Sequence, residues 1–145
     1  MYDTLLVPVD GSDASDAAVD HALELATAFD AGLHFVFAVE VSPDSVARGV
    51  GGIDPTVAES LREEGEEVIA AHRETAMELE LPCEHTIETG APDEVIANAA
   101  ENAGADAVVM GTHAREGLER ELLGSTAERV LRGVDLPVLA VPPEK

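Results

Sequence analysis

Four short runs of aliphatic residues, each too apolar to lie half in water, decide what kind of fold this chain can adopt. They are TLLVPV (4–9), LHFVFAVEV (33–41), ADAVVM (105–110) and LPVLAV (136–141), and a fifth, more polar run, CEHTIET (83–89), suits a sheet edge. Strands without polar alternation must be covered on both faces, which is the condition of a parallel sheet. The segments between them carry helical periodicity. In Asp13 to Ala31, Val19, Ala22, Leu23, Ala26 and Phe29 share a face that Asp16, Asp20 and Glu24 avoid, and Gly32 is the expected stop. Pro55 to about Leu79 gives a long acidic helix with Val57, Leu61, Val68, His72, Ala76 and Leu79 inward and the Glu63-Glu64-Gly65-Glu66-Glu67 run in solvent. Pro92 opens a third helix over Asp93 to Ala103, ended by Gly104, and a fourth follows Gly124-Ser125-Thr126. Pro43 to Asp54, with Gly49, Gly51 and Gly52, shows no period and reads as a loop.

Strand and helix therefore alternate from one end to the other. This predicts a single α/β domain over residues 1–145: an open, parallel, five-stranded sheet with helices on both faces. With the strand order 3-2-1-4-5, the winding reverses between strands one and four, and a ligand crevice opens between Asp10 and Gly111. The chain leaving strand four at Gly111 runs through a polar loop into a helix N-terminus at Ser125. Converging N–H groups, backed by the positive end of a helix dipole, suit phosphate. Glycine at 111 and 124 admits close backbone approach. Local readings stand beside these. Ser125-Thr126-Ala127-Glu128 is also a capping box, and Asp10 or Ser12 is an ordinary helix N-cap. Arg115 suits a phosphate or an ion pair with Glu116 or Glu119, and His113 an exposed loop position.

Composition narrows the partners. Thirty Asp and Glu against eight Lys and Arg leave a net charge of −22, and seven of the eight cations are Arg, Lys145 being the exception. Self-repulsion of this size is tolerable where salt shortens the screening length to ~3 Å, as at molar ionic strength. The surface thus reads as halophilic, that of a protein from a high-salt cytoplasm. Duplex DNA is excluded for want of a basic patch. No apolar run approaches the ~20 residues of a membrane span, and the start of the chain lacks a basic, secretory-type leader. Cys83, the one cysteine, cannot form an internal disulfide. Cys83-x-His85 lacks the second pair of a closed zinc site, so Cys83 reads as a small buried hydrophobe. No lysine precedes residue 145 to build a Walker loop, and there is no Gly-x-Ser-x-Gly elbow. No residue stands out as a base to activate water, so any ATP hydrolysis is expected to be slow.

The loop reads Gly111-Thr112-His113-Ala114, then residues 115–123, then Gly124-Ser125-Thr126. It resembles the G-x-x-G-x9-G-S/T nucleotide-binding signature of the universal stress protein family. The VPVDGS opening, the GTHAREG and LGSTAERVL segments and the closing PVLAV resemble that family in the same order, with Ala114 in place of the second glycine. The resemblance implies a Rossmann-like fold of the adenine nucleotide alpha hydrolase-like type, with ATP or another adenine nucleotide in the crevice. It implies Pro8 and Val9 along the adenine, Ala38 or Val39 reading its edge, and Asp10 on the ribose or on a Mg²⁺ held by the phosphates. Gly111, His113, Ala114 and Arg115 would lie along the ribose and phosphates, with Gly124, Ser125 and Thr126 donating to the β and γ phosphates. It further implies a cytoplasmic homodimer joined through Leu136, Val138, Leu139, Ala140 and Val141, acting as a nucleotide-responsive regulatory module in stress. Against that pairing, Pro137 and Pro142 read as residues that discourage strand addition. A slow ATPase or autophosphorylating protein with Ser125 or Thr126 as acceptor, and a nucleotide-free dimeric scaffold, are the alternatives.

Overall fold

The computed structural model describes residues 2–40, 55–112 and 123–143. At its centre β1 (Thr4–Pro8) sends Leu5 and Val7 to one side of a sheet and Leu6 to the other, and all three are buried. The chain continues through α1 (Asp13–Phe29), β2 (Gly32–Val39), α2 (Pro55–Glu78), β3 (Cys83–Thr89), α3 (Pro92–Ala103), β4 (Ala107–Gly111), α4 (Ser125–Gly133) and β5 (Val138–Val141). The five strands lie in the order β3-β2-β1-β4-β5 and every neighbouring pair is parallel. The alternation, strand order and double cover expected from the sequence are those observed.

Two cores result. Leu5, Val7, Phe35, Phe37 and Val109 meet Ala18, Ala22 and Ala26 of α1 and Ile69 and Ala76 of α2. On the reverse face Leu6, Val36, Val108 and Met110 meet Val95, Ile96, Ala99 and Ala100 of α3 and Ala127 and Val130 of α4. Small residues on the helices let them approach the sheet closely. Gly65, inside the acidic run of α2, is the sharpest case: a Cβ there would stand 2.6 Å from Phe37 Cδ1. Of the run expected in solvent, Glu63, Glu66 and Glu67 are exposed, while Glu64 is half-buried and Gly65 is buried against Phe37.

Some boundaries differ from the sequence reading. Gly32 does not stop α1; Asp30 does, at φ 56 in the left-handed region, with its N–H donated to the Ala26 carbonyl. Asp tolerates that conformation better than most side chains. Gly32 is already the first residue of β2, and its N–H goes to the Asp3 carbonyl at 2.8 Å. On α2, Leu61, Val68, His72 and Ala76 face inward, but Val57 in the first turn is exposed. Leu79 is exposed too, because Glu80 turns the chain at φ 60 and Leu81 takes the buried place. Phe29 is also half out of the core and sets its ring edge-on to Tyr2, centroids 5.2 Å apart. The segment 43–54 lies outside the described residues.

Register between β1 and β4, a hundred residues apart in sequence, is fastened at its lower end by Asp106. Its Oδ2 accepts the N–H groups of Asp3 at 2.7 Å and Thr4 at 2.9 Å. These two bonds hold the carboxyl below the ordinary aspartate range. Leu5 then stands beside Ala107 and Leu6 beside Val108.

Candidate functional site

The topology reverses between β1 and β4, and above their carboxyl ends a cleft of about 490 Å³ opens. That is within the usual size for a small-molecule site. Its walls are apolar, from Pro8, Val9, Val36, Phe37, Ala38, Ile96 and Met110. Polar groups reach it from three places: Asp10 and Ser15 after β1, Glu40 after β2, and Ser125 and Thr126 at the start of α4. Among its described lining residues there is no Lys, Arg or His.

The Asp10 corner is a hydrogen-bonded turn. Gly11 at φ 82 bends the chain, and Asp10 Oδ1 accepts the Ser12 N–H at 2.9 Å. Ser12 is the N-cap of α1, its Oγ accepting the Ser15 N–H at 3.2 Å. Ser15 closes the ring by accepting the Asp10 N–H at 3.1 Å. Of the two caps read from the sequence, Ser12 therefore serves α1, and Asp10 stabilises the turn before it. Ser15 went unnoticed in the sequence. It is 4% exposed, the one buried polar residue among those described, and a serine inside the first turn of an Ala-rich helix gives no signal of its own.

Gly111 lines the cleft, yet packing explains its lack of a side chain. A Cβ would lie 2.8 Å from both the carbonyl carbon and the Cβ of Ala14 in the first turn of α1. Gly124 caps α4 in an extended conformation, φ −64 and ψ 154, which other residues also adopt. Its N–H donates to the Thr112 carbonyl at 2.7 Å, joining the two sides of the intervening segment. Residues 113–122 of that segment, including His113, Ala114 and Arg115, lie outside the described residues.

The capping box is not formed. The N-cap of α4 is Gly124, with no side-chain cap hydrogen bond, and Glu128 pairs with Arg132 at 2.8 Å instead of reaching back. Ser125 is already helical, so its hydroxyl is one position too late to cap. The N–H groups of Ser125, Thr126 and Ala127 thus have no acceptor within the helix, whose start lines the cleft.

Pro8, Val9, Asp10, Ala38, Gly111, Ser125 and Thr126 all meet at the cleft. Val39 does not line it. Its side chain is fully buried in the α1 and α2 core, and its carbonyl accepts the Gly90 N–H at 3.0 Å. Gly124 is buried just behind Ser125. At the far edge β5 pairs with β4 alone among the described strands. Leu139 is exposed there, Leu136, Val138 and Ala140 are half-buried, and Val141 is buried in this chain's own core. Cys83 packs half-buried against the α2 core, while His85 Nδ1 stands 2.6 Å from Arg73 Nη1. No described helix is long and apolar enough to cross a membrane.

Comparison with known proteins agrees with this geometry. Residues 1–142 match the model of the universal stress protein family. The chain is 39% identical over 141 residues to Universal stress protein MJ0531 of Methanocaldococcus jannaschii, spanning 97% of this chain and 82% of that protein. The solved structure of hypothetical protein MJ0577 has the same fold, with a TM-score of 0.87 at 24% identity, covering 100% of this chain and 99% of that one. A universal stress protein crystallised in complex with cAMP superposes with a TM-score of 0.73 at 26% identity, covering 99% of both chains. A family match running almost end to end, together with a relative this similar, establishes that the chain belongs to the universal stress protein family.

Proposed function

We propose that this chain binds an adenine nucleotide, ATP with Mg²⁺, in the cleft between β1 and β4, and works as a nucleotide-responsive dimeric regulatory module in the cytoplasm. The observation that carries the reading is the uncapped start of α4 opening on an apolar-walled cleft. The N–H groups of Ser125, Thr126 and Ala127 and the hydroxyls of Ser125 and Thr126 offer donors to phosphate oxygens, with roughly half a positive charge from the helix dipole behind them. Pro8, Val36, Ala38 and Met110 supply flat apolar contact for a base. The cAMP complex of a 26% identical family member supports an adenine ligand in this fold.

None of the described lining residues is cationic; the helix start and a metal ion would offset part of the charge of a triphosphate. Mg²⁺, when bound, would offset phosphate charge, and the Asp10 carboxylate, which lines the cleft, would be an oxygen ligand for it. The Ser12 N–H fixes one oxygen of that carboxylate, and Ser15 fixes the Asp10 backbone by accepting its N–H. Dimerisation through β5 is supported by its apolar free edge, with Leu139 offering side-chain surface and Val141 only backbone.

Isothermal titration with Mg-ATP in molar KCl tests the binding reading. Saturable heat is expected, weakened in Gly124→Phe, whose ring would crowd the helix start. Absence of heat with ATP, ADP, AMP and cAMP rejects it. Sedimentation of the unaltered chain and of Leu139→Asp tests the dimer, the variant being expected to sediment as a monomer.

A further inference from the structure

We infer that Gly65, inside the acidic run of α2, is a positioning residue for the cleft. By carrying no side chain it lets Phe37 and Leu61 stand where they form the wall on the α2 side, and a methyl group at 65 weakens nucleotide binding without touching the ligand. The inference rests on the nucleotide reading above and adds to it a residue outside the cleft lining. Glycine is a costly choice at this place. Residue 65 lies in the middle of a 24-residue helix, where only proline is less favourable. Its φ is not positive, so backbone conformation does not call for glycine either.

What calls for it is Phe37. A Cβ at residue 65 would stand 2.6 Å from Phe37 Cδ1, 2.9 Å from Cγ and 3.1 Å from Cε1. Cγ is the root of the ring, tied to a strand held between β1 and β3, so moving the ring tip does not relieve the overlap. Phe37 is buried and lines the cleft, and so does Leu61, one helical turn before Gly65. One turn after it, Val68 lies over the corner beside Asp10: a Cβ on Gly11 would be 3.5 Å from Val68 Cγ2. The inward stripe 61, 65, 68 is thus seated on residues that shape the cleft. A methyl group on residue 65 has two exits. If the ring yields, one wall of the cleft shifts; if the helix yields, Leu61 leaves with it. Close-packed interiors transmit such strain instead of absorbing it.

The test is titration of Mg-ATP, in 1 M KCl and well below each thermal midpoint, into four proteins: the unaltered chain, Gly65→Ala, Phe37→Leu and the double variant. Gly65→Ala is expected to bind at least fivefold more weakly than the unaltered chain. In the Phe37→Leu background, where the smaller side chain leaves room, the same change is expected to alter affinity less than twofold, the signature of coupled neighbours. A lower thermal midpoint with undiminished affinity in Gly65→Ala makes the glycine a matter of packing alone and overturns the inference, as does an equal loss in both backgrounds. If Gly65→Ala does not fold, amide exchange of the unaltered chain decides. Mg-ATP is expected to slow exchange at residues 61–68, and slowing at Ser125 to Ala127 with none at 61–68 overturns the inference while leaving the nucleotide reading intact. If ATP, ADP, AMP and cAMP all fail to bind the unaltered chain, the nucleotide reading falls and the inference with it.

Discussion

Replacing Gly111 by alanine separates two reasons for a glycine in the cleft. Its added Cβ would stand 2.8 Å from the Ala14 carbonyl carbon and Cβ, and 3.0 Å from the Ala14 oxygen. Non-bonded carbons prefer about 3.5–4.0 Å, so close to an ångström must be found. The obstacle is helix backbone, which cannot rotate aside. β4 is held between β1 and β5, so the strain passes into the first turn of α1, where Ser12 caps the helix and Ser15 holds Asp10. Overpacking costs about 1–3 kcal/mol, and an obstacle made of fixed helix backbone puts this site in the upper part of that range, about 2–3 kcal/mol. The loss of unfolded-state freedom on replacing glycine returns about 0.4–1 kcal/mol. The net cost of about 1–2.5 kcal/mol, at about 3 °C per kcal/mol for a chain of this size, predicts a midpoint lower by roughly 3–8 °C. Thermal unfolding of the ligand-free protein, followed by circular dichroism in molar KCl, reads it directly. A midpoint that is unchanged or raised, together with weaker nucleotide binding, refutes the packing explanation and returns Gly111 to the role of admitting ligand.

Three further perturbations have definite outcomes. Ser15→Ala removes the hydroxyl that accepts the Asp10 N–H, which predicts a stability loss of about 1 kcal/mol and weaker Mg-ATP binding in the same variant; melts and titrations that both match the unaltered chain contradict the positioning role. His72 of α2 lies 3.6 Å from Asp16 and against the Phe35 ring, and burial lowers its pKa, with Asp16 and Asp20 opposing in part. The unfolded chain then binds that proton more readily, so the contribution is full above about pH 6.5 and drains away as pH falls below it. His34, lowered by burial with Glu84 opposing, adds a slope of the same sign. Melts between pH 5 and 8 are expected to fall toward acid, and His72→Leu to flatten the curve; an equal slope in the variant contradicts the assignment. Finally, a net charge of −22 predicts that the midpoint climbs as KCl rises from 0.1 to 1 M, where the screening length falls from about 10 to about 3 Å, and a midpoint indifferent to salt contradicts the self-repulsion reasoning.

The framework of this fold was legible because unbroken aliphatic runs and one-sided helices leave few alternatives. The strand order brought Asp10 and Gly111 together from opposite parts of the chain, and both line the cleft. What stayed hidden depends on single-residue geometry. Phe37 and Ala38, on opposite faces of β2, both line the cleft, whereas Val39 is buried in the α1 and α2 core with its carbonyl held by Gly90, and an unbroken apolar run does not say where along it the cleft ends. Ser125 looked like a cap because the spacing to Glu128 was right, but the helix begins one residue earlier than that spacing requires. The role of Gly111 was unreadable without the position of α1, since local sequence is silent about a helix backbone arriving from nearly a hundred residues away. Ser15 and Asp30 act through backbone bonds, which leave no mark in composition or period.

Amide chemical-shift mapping of the ¹⁵N-labelled chain during titration with Mg-ATP in molar KCl asks whether the start of α4 and the turn after β1 together hold the ligand. The largest shifts are expected at Asp10, Gly111, Ser125, Thr126 and Ala127. Shifts confined to a second depression, about 610 Å³ between α2 and β3 and lined by Arg73, Met77 and His85, would contradict it, as would a spectrum that does not move at all.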